Sequence, residues 1–401
     1  MKDHTISSDA RSYRLTSIDM LRGLVVVIMA LDHVRDYFLR NMIQDPMEQA
    51  DVPLEIYLTR WVTHFCAPVF VFLAGTSAGL MAGRKSATEL GAFLAKRGLW
   101  LVLVEVTLIS TAFTFSPFDG VAEMGGHTLL GLQVIWAIGA AMLLLAAAQF
   151  LGTSACAALG AVILIGHDAV GLVWPAGNMD GADALWIGLF KQSSTVVGPF
   201  LLYFAYPLVP WAGLMLLGFG TAGIFQQDTV RRYRTLLLTG ISMTVAFFLL
   251  RAFDLYGDPN PWQWQDTGLQ ATVLDFMNVS KYPPSLCFLL ITLGPMAVLC
   301  AYADRWSGWL KDTMVMFGRV PFAFYILHWY LLRALNMLLA TYQGIAPEEM
   351  MTFFFFFPPD YGVSLPVVYA IWALVIVMLY PFCRWFAEVK KRRKDWWLSY
   401  L

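Results

Sequence analysis

Apolar residues along the chain gather into ten stretches of about twenty, at roughly 16–38, 61–82, 89–115, 128–149, 153–174, 198–224, 234–253, 280–303, 313–340 and 364–387. Each is long enough to cross the hydrocarbon layer of a bilayer as a helix. Polar and charged positions are confined to the segments between these stretches and to a few isolated places within them. The pattern predicts an all-α polytopic membrane protein with about ten transmembrane helices, built as a single domain over residues 1–401. A short polar segment, 1–15, precedes the first helix, and a basic tail, 388–401, follows the last.

The sign of the intervening charges then orients the helices, because Lys- and Arg-rich loops stay on the cytoplasmic side. Positive charge collects at the N-terminus (Lys2, Arg11, Arg14), at Arg84 and Lys85, at Arg231, Arg232 and Arg234, at Arg305 and Lys311, and in the tail Lys390-Lys-Arg-Arg-Lys394. The alternate segments carry Asp45, Glu48, Asp51 and Glu55, then Asp119 and Glu123, Asp180 and Asp183, Asp254, Asp258 and Asp266, and finally Glu348, Glu349 and Asp360. Only the loop near Gly152 is silent. Both termini are therefore expected in the cytoplasm. The first apolar stretch follows a polar segment and does not end in a small-residue cleavage site, so it is expected to be retained as a helix rather than removed as a signal peptide.

Composition agrees: 58% of residues are hydrophobic and 14% charged, against roughly a quarter charged in a soluble domain. The net charge of −1 comes with no basic stripe of interleaved aromatics, so a nucleic-acid partner is not expected. The five cysteines (Cys66, Cys156, Cys287, Cys300, Cys383) fall inside predicted helices without metal-ligand spacing; they read as buried thiols, and no metal is expected. The run Phe353–Phe357 ahead of Pro358-Pro359 reads as an interfacial anchor.

Against this apolar background, ionisable residues at membrane depth stand out, since such groups are costly unless a protein-lined or wet cavity uses them. His33, in Met29-Ala-Leu-Asp-His33, and His64, in Trp61-Val-Thr-His64, share a level near the outer ends of the first two helices. Gln133, Tyr206, Lys281, Tyr282, His328 and Arg333 also belong to outer halves. Each has a plain structural reading. His64 could be a satisfied core histidine, with Pro68 kinking its helix and Gly75 and Gly79 packing closely on a neighbour. Asp32, Arg35 and Asp36 could pair at a solvated helix end, with Asp36 placed to orient His33 from the next turn. Lys281 could snorkel. Glu105, mid-way through the third helix, is the most buried carboxylate and needs a partner, a histidine or arginine being the natural one, or else handles a proton. At the opposite end Asp19 and Arg22 can pair three residues apart. Arg22 with Arg319 could instead hold the phosphates of a cytoplasmic ligand.

The runs Arg14-Leu-Thr-Ser-Ile-Asp-Met-Leu-Arg-Gly23, Met29-Ala-Leu-Asp-His33, His64-Phe-Cys-Ala-Pro-Val-Phe-Val-Phe-Leu-Ala-Gly75, Lys281-Tyr-Pro-Pro-Ser-Leu286 and Gly318-Arg-Val-Pro321 together resemble the bacterial relatives of heparan-alpha-glucosaminide N-acetyltransferase. The resemblance covers nearly the whole chain. It implies a transmembrane acyltransferase of a bacterial cytoplasmic membrane, with acetyl-CoA or another acyl-CoA as donor. The acyl group would pass to an amine or hydroxyl of a glycan or glycolipid at the outer face. Membrane lipid is the surrounding partner, and a homodimer is left open.

The lysosomal enzyme's proposed active histidine lies between the helices equivalent to the first two here, yet residues 41–60 of this chain contain none. A shared reaction would therefore draw on His64 or His33, with Asp36 as orienter and Gln133, Tyr206, Lys281, Tyr282 or His328 as oxyanion or acceptor contacts. Histidine suits proton removal because its unperturbed pKa is about 6.5. An acyl-histidine route stays open beside direct transfer. The competing reading is a transporter or flippase, for which proline-interrupted helices and a buried Glu105 would also serve.

Overall fold

The computed structural model describes residues 8–41, 46–48, 52–116, 120, 122–173, 183–393 and 395–399. Lys2, Asp45, Asp51, Asp119, Asp180 and Lys394, used above for orientation, lie outside the described residues. The chain is a bundle of long helices. These are α1 (Ser8–Phe38), α2 (Leu54–Thr63), α3 (Cys66–Ala82), α4 (Ala87–Val104), α5 (Ser110–Thr114), α6 (Val134–Ala148), α7 (Thr153–Val173), α8 (Asp183–Phe190), α9 (Leu208–Gly220) and α10 (Thr229–Phe253). They continue with α11 (Leu269–Met277), α12 (Leu286–Tyr302), α13 (Trp309–Arg319), α14 (Pro321–Tyr342) and α15 (Leu365–Arg392). Eight described helical segments are long and apolar enough to cross a membrane. The other two of the ten expected, α1 and the α4–α5 run, carry the ionisable residues Asp19, Arg22, Asp32, His33 and Glu105.

Five expected boundaries move. The first helix starts eight residues earlier than expected, at Ser8. Residues 128–132 and 200–204, read as helix, are strands β1 (Thr128–Leu132) and β3 (Phe200–Phe204) of a small sheet ordered β1-β3-β2, with β2 spanning Ser193–Val197. β1 runs parallel to β3 and β2 antiparallel to it. Gly131 in β1 lies against the Phe113 ring, where a Cβ would sit 2.7 Å from ring carbon. The expected start at 280 fails because Pro283 and Pro284 supply no backbone donors; α12 begins only at Leu286, capped by Ser285, whose hydroxyl accepts from the Phe288 N–H. The stretch 313–340 breaks at Val320, because Pro321 restricts the residue before it and is itself suited to a helix's first turn.

In a membrane bundle the close approach of backbones does much of the packing. The tightest crossing brings α1 onto α13. A Cβ on Gly23 would lie 1.7 Å from the Met314 carbonyl oxygen, and one on Gly318 would lie 1.7 Å from that of Asp19. Only glycine fits at either position, and the consequence is functional geometry: Arg22 and Arg319, each next to one of these glycines, arrive at the same end of the bundle. Gly75 does pack closely, with α9, where a Cβ would meet the Met215 carbonyl at 2.1 Å. All five cysteines are buried and free.

Candidate active site

One face of α1 organises the site. Asp19, Arg22, Val26, Met29, His33 and Asp36 recur at helical spacing and so stack along one stripe. The first four line a cavity of about 620 Å³ at the end holding the tail, and the last two line a second cavity of about 310 Å³ at the opposite end. The change from one cavity to the other occurs within a turn on each of three helices: between Met29 and His33 on α1, between Tyr325 and Trp329 on α14, and between Val134 and Gln133 at the start of α6. Four residues of α-helix rise about 6 Å, so the partition is thin.

The larger cavity has apolar walls, among them Val26, Met29, Phe93, Leu101, Ile138 and Tyr325. Its mouth carries Arg22, Arg97, Arg319, Lys390 and Lys391 against the single carboxylate of Asp19. Arg22 pairs with Asp19 at 3.5 Å, as the spacing allowed, but it also donates to the Leu73 carbonyl (3.1 Å) and to the Ser77 hydroxyl. Arg319 lies 3.8 Å from Asp19 with its side chain 48% exposed. Arg97, Lys390 and Lys391 were missed by the sequence reading. Their only signal was membership of basic clusters, which does not say which of them turns inward.

The smaller cavity is polar. Asp32 accepts from Arg60 (2.9 and 3.1 Å) and from the Thr63 hydroxyl (2.9 Å), and pairs with Arg35 at 3.0 Å. Asp36 is engaged by Arg35 at 2.5 and 3.1 Å. The cluster expected at a solvated helix end thus exists but is enclosed, with Arg35 only 1% exposed. Arg35 rather than His33 takes Asp36, so the expected orienting contact gives way to the stronger charge-assisted pair.

His33 is oriented from α14 instead. Its Nδ1 lies 2.6 Å from His328 Nε2, and His328 Nδ1 lies 2.5 Å from the backbone oxygen of Tyr325. A carbonyl can only accept, so the hydrogen-bond chain assigns the proton on His328 to Nδ1, which leaves its Nε2 as acceptor. His33 must then donate from Nδ1, and its Nε2 keeps a lone pair. Stacking on Trp329, with ring centroids 4.1 Å apart, fixes the ring. His328 is fully buried inside the partition.

The structure does not bring His64 to His33 as a hydrogen-bonded pair. His64 lines the polar cavity from the break between α2 and α3, four residues ahead of Pro68, which lacks the donor that would continue the helix. Its Nε2 is buried without a hydrogen-bond partner, and its ring packs on Phe288. Tyr206 and Tyr282 do meet, with hydroxyls 3.4 Å apart, and both line the polar cavity with Gln133 and Lys281. Lys281 is 6% exposed, so its charge is enclosed rather than snorkelling to a surface.

Glu105 has a different partner from the side chain expected. It sits at the head of a π-helical turn, Glu105–Ile109, and accepts from the backbone N–H groups of Gln133 (3.0 Å) and Trp136 (3.2 Å). The carboxylate thereby satisfies the free donors at the N-terminus of α6. Arg333 is likewise structural. It donates to the carbonyls of Thr114 (2.9 Å), Met350 and Thr352 (3.4 Å), and so ties down the phenylalanine run. That run is not a lipid anchor: Phe353, Phe354 and Phe355 wall the polar cavity, Phe353 packs on Phe113 and Tyr203, and only Phe356 is well exposed.

A family model described as "Heparan-alpha-glucosaminide N-acetyltransferase, catalytic" matches residues 14–251, more than half of the chain. No curated protein matches it. The chain belongs to that family and is a membrane acyltransferase. The matched span contains Arg22, His33, His64 and Gln133; Lys281, Arg319 and His328 lie beyond it.

Proposed function

We propose that this acyltransferase takes an acyl-CoA, acetyl-CoA as related acetyltransferases do, into the basic cavity from the cytoplasm. It passes the acyl group to an amine or hydroxyl of a glycan or glycolipid in the polar cavity on the outer side of a bacterial cytoplasmic membrane. One observation carries the reading: an imidazole with a free lone pair stands in a partition one helical turn thick between a cation-rimmed apolar cavity and a polar one. The basic end is assigned to the cytoplasm by its lysines and arginines.

Arg22, Arg97, Arg319 and Lys390 suit the phosphates of a CoA, Arg for two-point contacts and Lys as point charge. Arg22 and His33 are eleven residues apart on one face of α1, a rise of roughly 16 Å that matches the scale of an extended pantetheine arm. The acceptor's oxygen or nitrogen attacks the thioester carbonyl while His33 Nε2 takes its proton. The imidazolium that forms is steadied through Nδ1–H by His328, the third-group logic of nucleophile–base pairs. Collapse of the tetrahedral intermediate expels the CoA thiolate, and the proton on His33 Nε2 goes to it. His33, held by His328, is favoured over His64 as the base, because no hydrogen bond orients His64 Nε2.

The test is transfer from labelled acetyl-CoA by purified protein, read by mass spectrometry of a glycan or glycolipid acceptor, beside calorimetric binding of CoA. Labelled product and micromolar CoA binding are expected. Absence of both CoA binding and any CoA release from acetyl-CoA overturns the reading.

A further inference from the structure

Among the described residues, three cations and two carboxylates face the polar cavity: Arg35, Arg60 and Lys281 against Asp32 and Asp36. The two guanidinium groups are matched to the two carboxylates at hydrogen-bonding distance. Lys281 is left over. Among the described residues no carboxylate lies within 4.0 Å of its ammonium, which stands over the Tyr282 ring at 5.1 Å. An enclosed cation in excess over the carboxylates around it is costly, and it is retained where a ligand supplies the missing anion.

The backbone that carries the ammonium is also held. Arg251, only 2% exposed, donates to the carbonyls of Asn260 (2.5 Å), Phe276 (3.0 Å) and Asn278 (2.7 Å) on one side of Lys281. The Asp258 carboxylate accepts from the Ser280 N–H (2.9 Å) and the Ser285 hydroxyl (2.6 Å), bracketing Lys281 directly. His167 Nε2 lies 2.8 Å from the Pro284 carbonyl and holds the turn from α7. A segment clamped from three elements does not swing its lysine out to solvent. Around the ammonium the cavity offers the carboxamides of Gln192, Asn260 and Asn278 and the rings of Tyr203, Tyr206 and Trp329. Fixed carboxamides with flat aromatic faces suit a polyhydroxylated ring.

We infer that the polar cavity selects an acceptor sugar bearing an anionic group, carboxylate or phosphate. Lys281 binds that group while the hydroxyl or amine to be acylated turns toward His33. Lys281 is thus a specificity-determining residue for the acyl acceptor. The inference rests on the acyl-transfer reading above for which atom is acylated, but not for the binding of the anion.

The experiment uses the full chain in detergent with three matched probes: methyl glucoside, glucuronic acid and glucose 6-phosphate. Binding is read without donor by quenching of tryptophan fluorescence, and transfer is read with labelled acetyl-CoA. Wild type is expected to favour at least one anionic probe over the neutral one by about tenfold, the scale of a charge-assisted hydrogen bond. Which of the two is favoured separates carboxylate from phosphate. Lys281→Gln is expected to bring the anionic-to-neutral ratio close to one, and Lys281→Arg to keep most of it. Unaltered CoA affinity in each variant certifies the fold. Equal binding of neutral and anionic probes by wild type, or a ratio that survives Lys281→Gln, overturns the inference. Anion-selective binding that depends on Lys281 but comes with no transfer upholds the anion site, and the acyl-transfer reading falls only where CoA binding and CoA release from acetyl-CoA are absent as well.

Discussion

The two cavities place their charges in opposite ways. At the basic cavity the guanidinium of Arg319 is half exposed and its nearest carboxylate, Asp19, is shared with Arg22. At the polar cavity Arg35 and Arg60 are buried and locked on Asp32 and Asp36 at close range. A half-solvated cation such as Arg319, in excess over anions, is available to a charged ligand, whereas buried, matched ions are already charge-paired and act as structure. The difference teaches that a charged residue in a cavity wall is to be judged by what neutralises it rather than by its presence. By that measure Arg319 and Lys281 are the cations proposed to meet a ligand, while Arg35, Arg60, Arg251 and Arg333 hold the walls.

Removing the base should have the largest effect. His33→Ala is expected to lower acyl transfer by about a hundredfold to ten-thousandfold, the usual worth of positioned proton transfer, while CoA affinity stays within about twofold. His328→Ala should lose a substantial part of the same factor, and His64→Ala much less. Mass-spectrometric assay of all three variants beside CoA calorimetry checks this; wild-type turnover in His33→Ala would sink the assignment of the partition.

Next come the buried ions. Asp32→Ala strands the enclosed guanidinium of Arg60 and leaves Arg35 with Asp36 alone, and is expected to destabilise by about 3–5 kcal/mol, enough to lower the melting temperature sharply in detergent. Asp19→Ala at the rim should cost about 1 kcal/mol or less. Equal melting shifts in the two variants would erase the contrast between the cavities.

Gly318→Ala tests how the rim is assembled. The added Cβ must push α1 and α13 apart, which should cost about 1–3 kcal/mol in stability and weaken CoA binding by moving Arg22 from Arg319. Gly83→Ala, where nothing lies within 4 Å, is the matched control. A Gly318→Ala protein with unchanged stability and CoA affinity would show that this crossing is not what sets the rim.

The smallest effect is expected for Arg319→Lys, which keeps charge but loses two-point phosphate contact; CoA affinity should fall by about three- to tenfold. Arg22→Lys should do more, because Arg22 also donates to Leu73 and Ser77 and its loss disturbs the wall. CoA titrations in both variants rank them.

Much of this was legible in the chain. Hydrophobic runs gave the bundle, and His33 and His64, read at one level, line one cavity with Gln133, Tyr206, Lys281 and Tyr282 of the outer halves, whereas His328 and Arg333, read with them, do not line it. The reading failed where a partner lay far along the sequence or was backbone. Glu105 is neutralised by N–H groups of α6, which no residue type announces. Asp36 was nearer to His33 in sequence than His328, yet Arg35 claims Asp36 and a residue 295 positions away claims His33. Arg97 lay inside the expected third helix and Lys390 in the basic tail, and only helix packing turns them into one mouth.

The sequence by itself determined what the membrane and local stereochemistry enforce: long apolar runs are mainly helical so that backbone groups are satisfied in lipid, and charge bias predicts their direction. Pairing was decided only by the tertiary structure. Whether a buried ionisable group is satisfied depends on which atoms lie within about 3 Å of it, and that distance is set by helix crossings such as Gly23 on Gly318, which bring together residues that no periodicity connects.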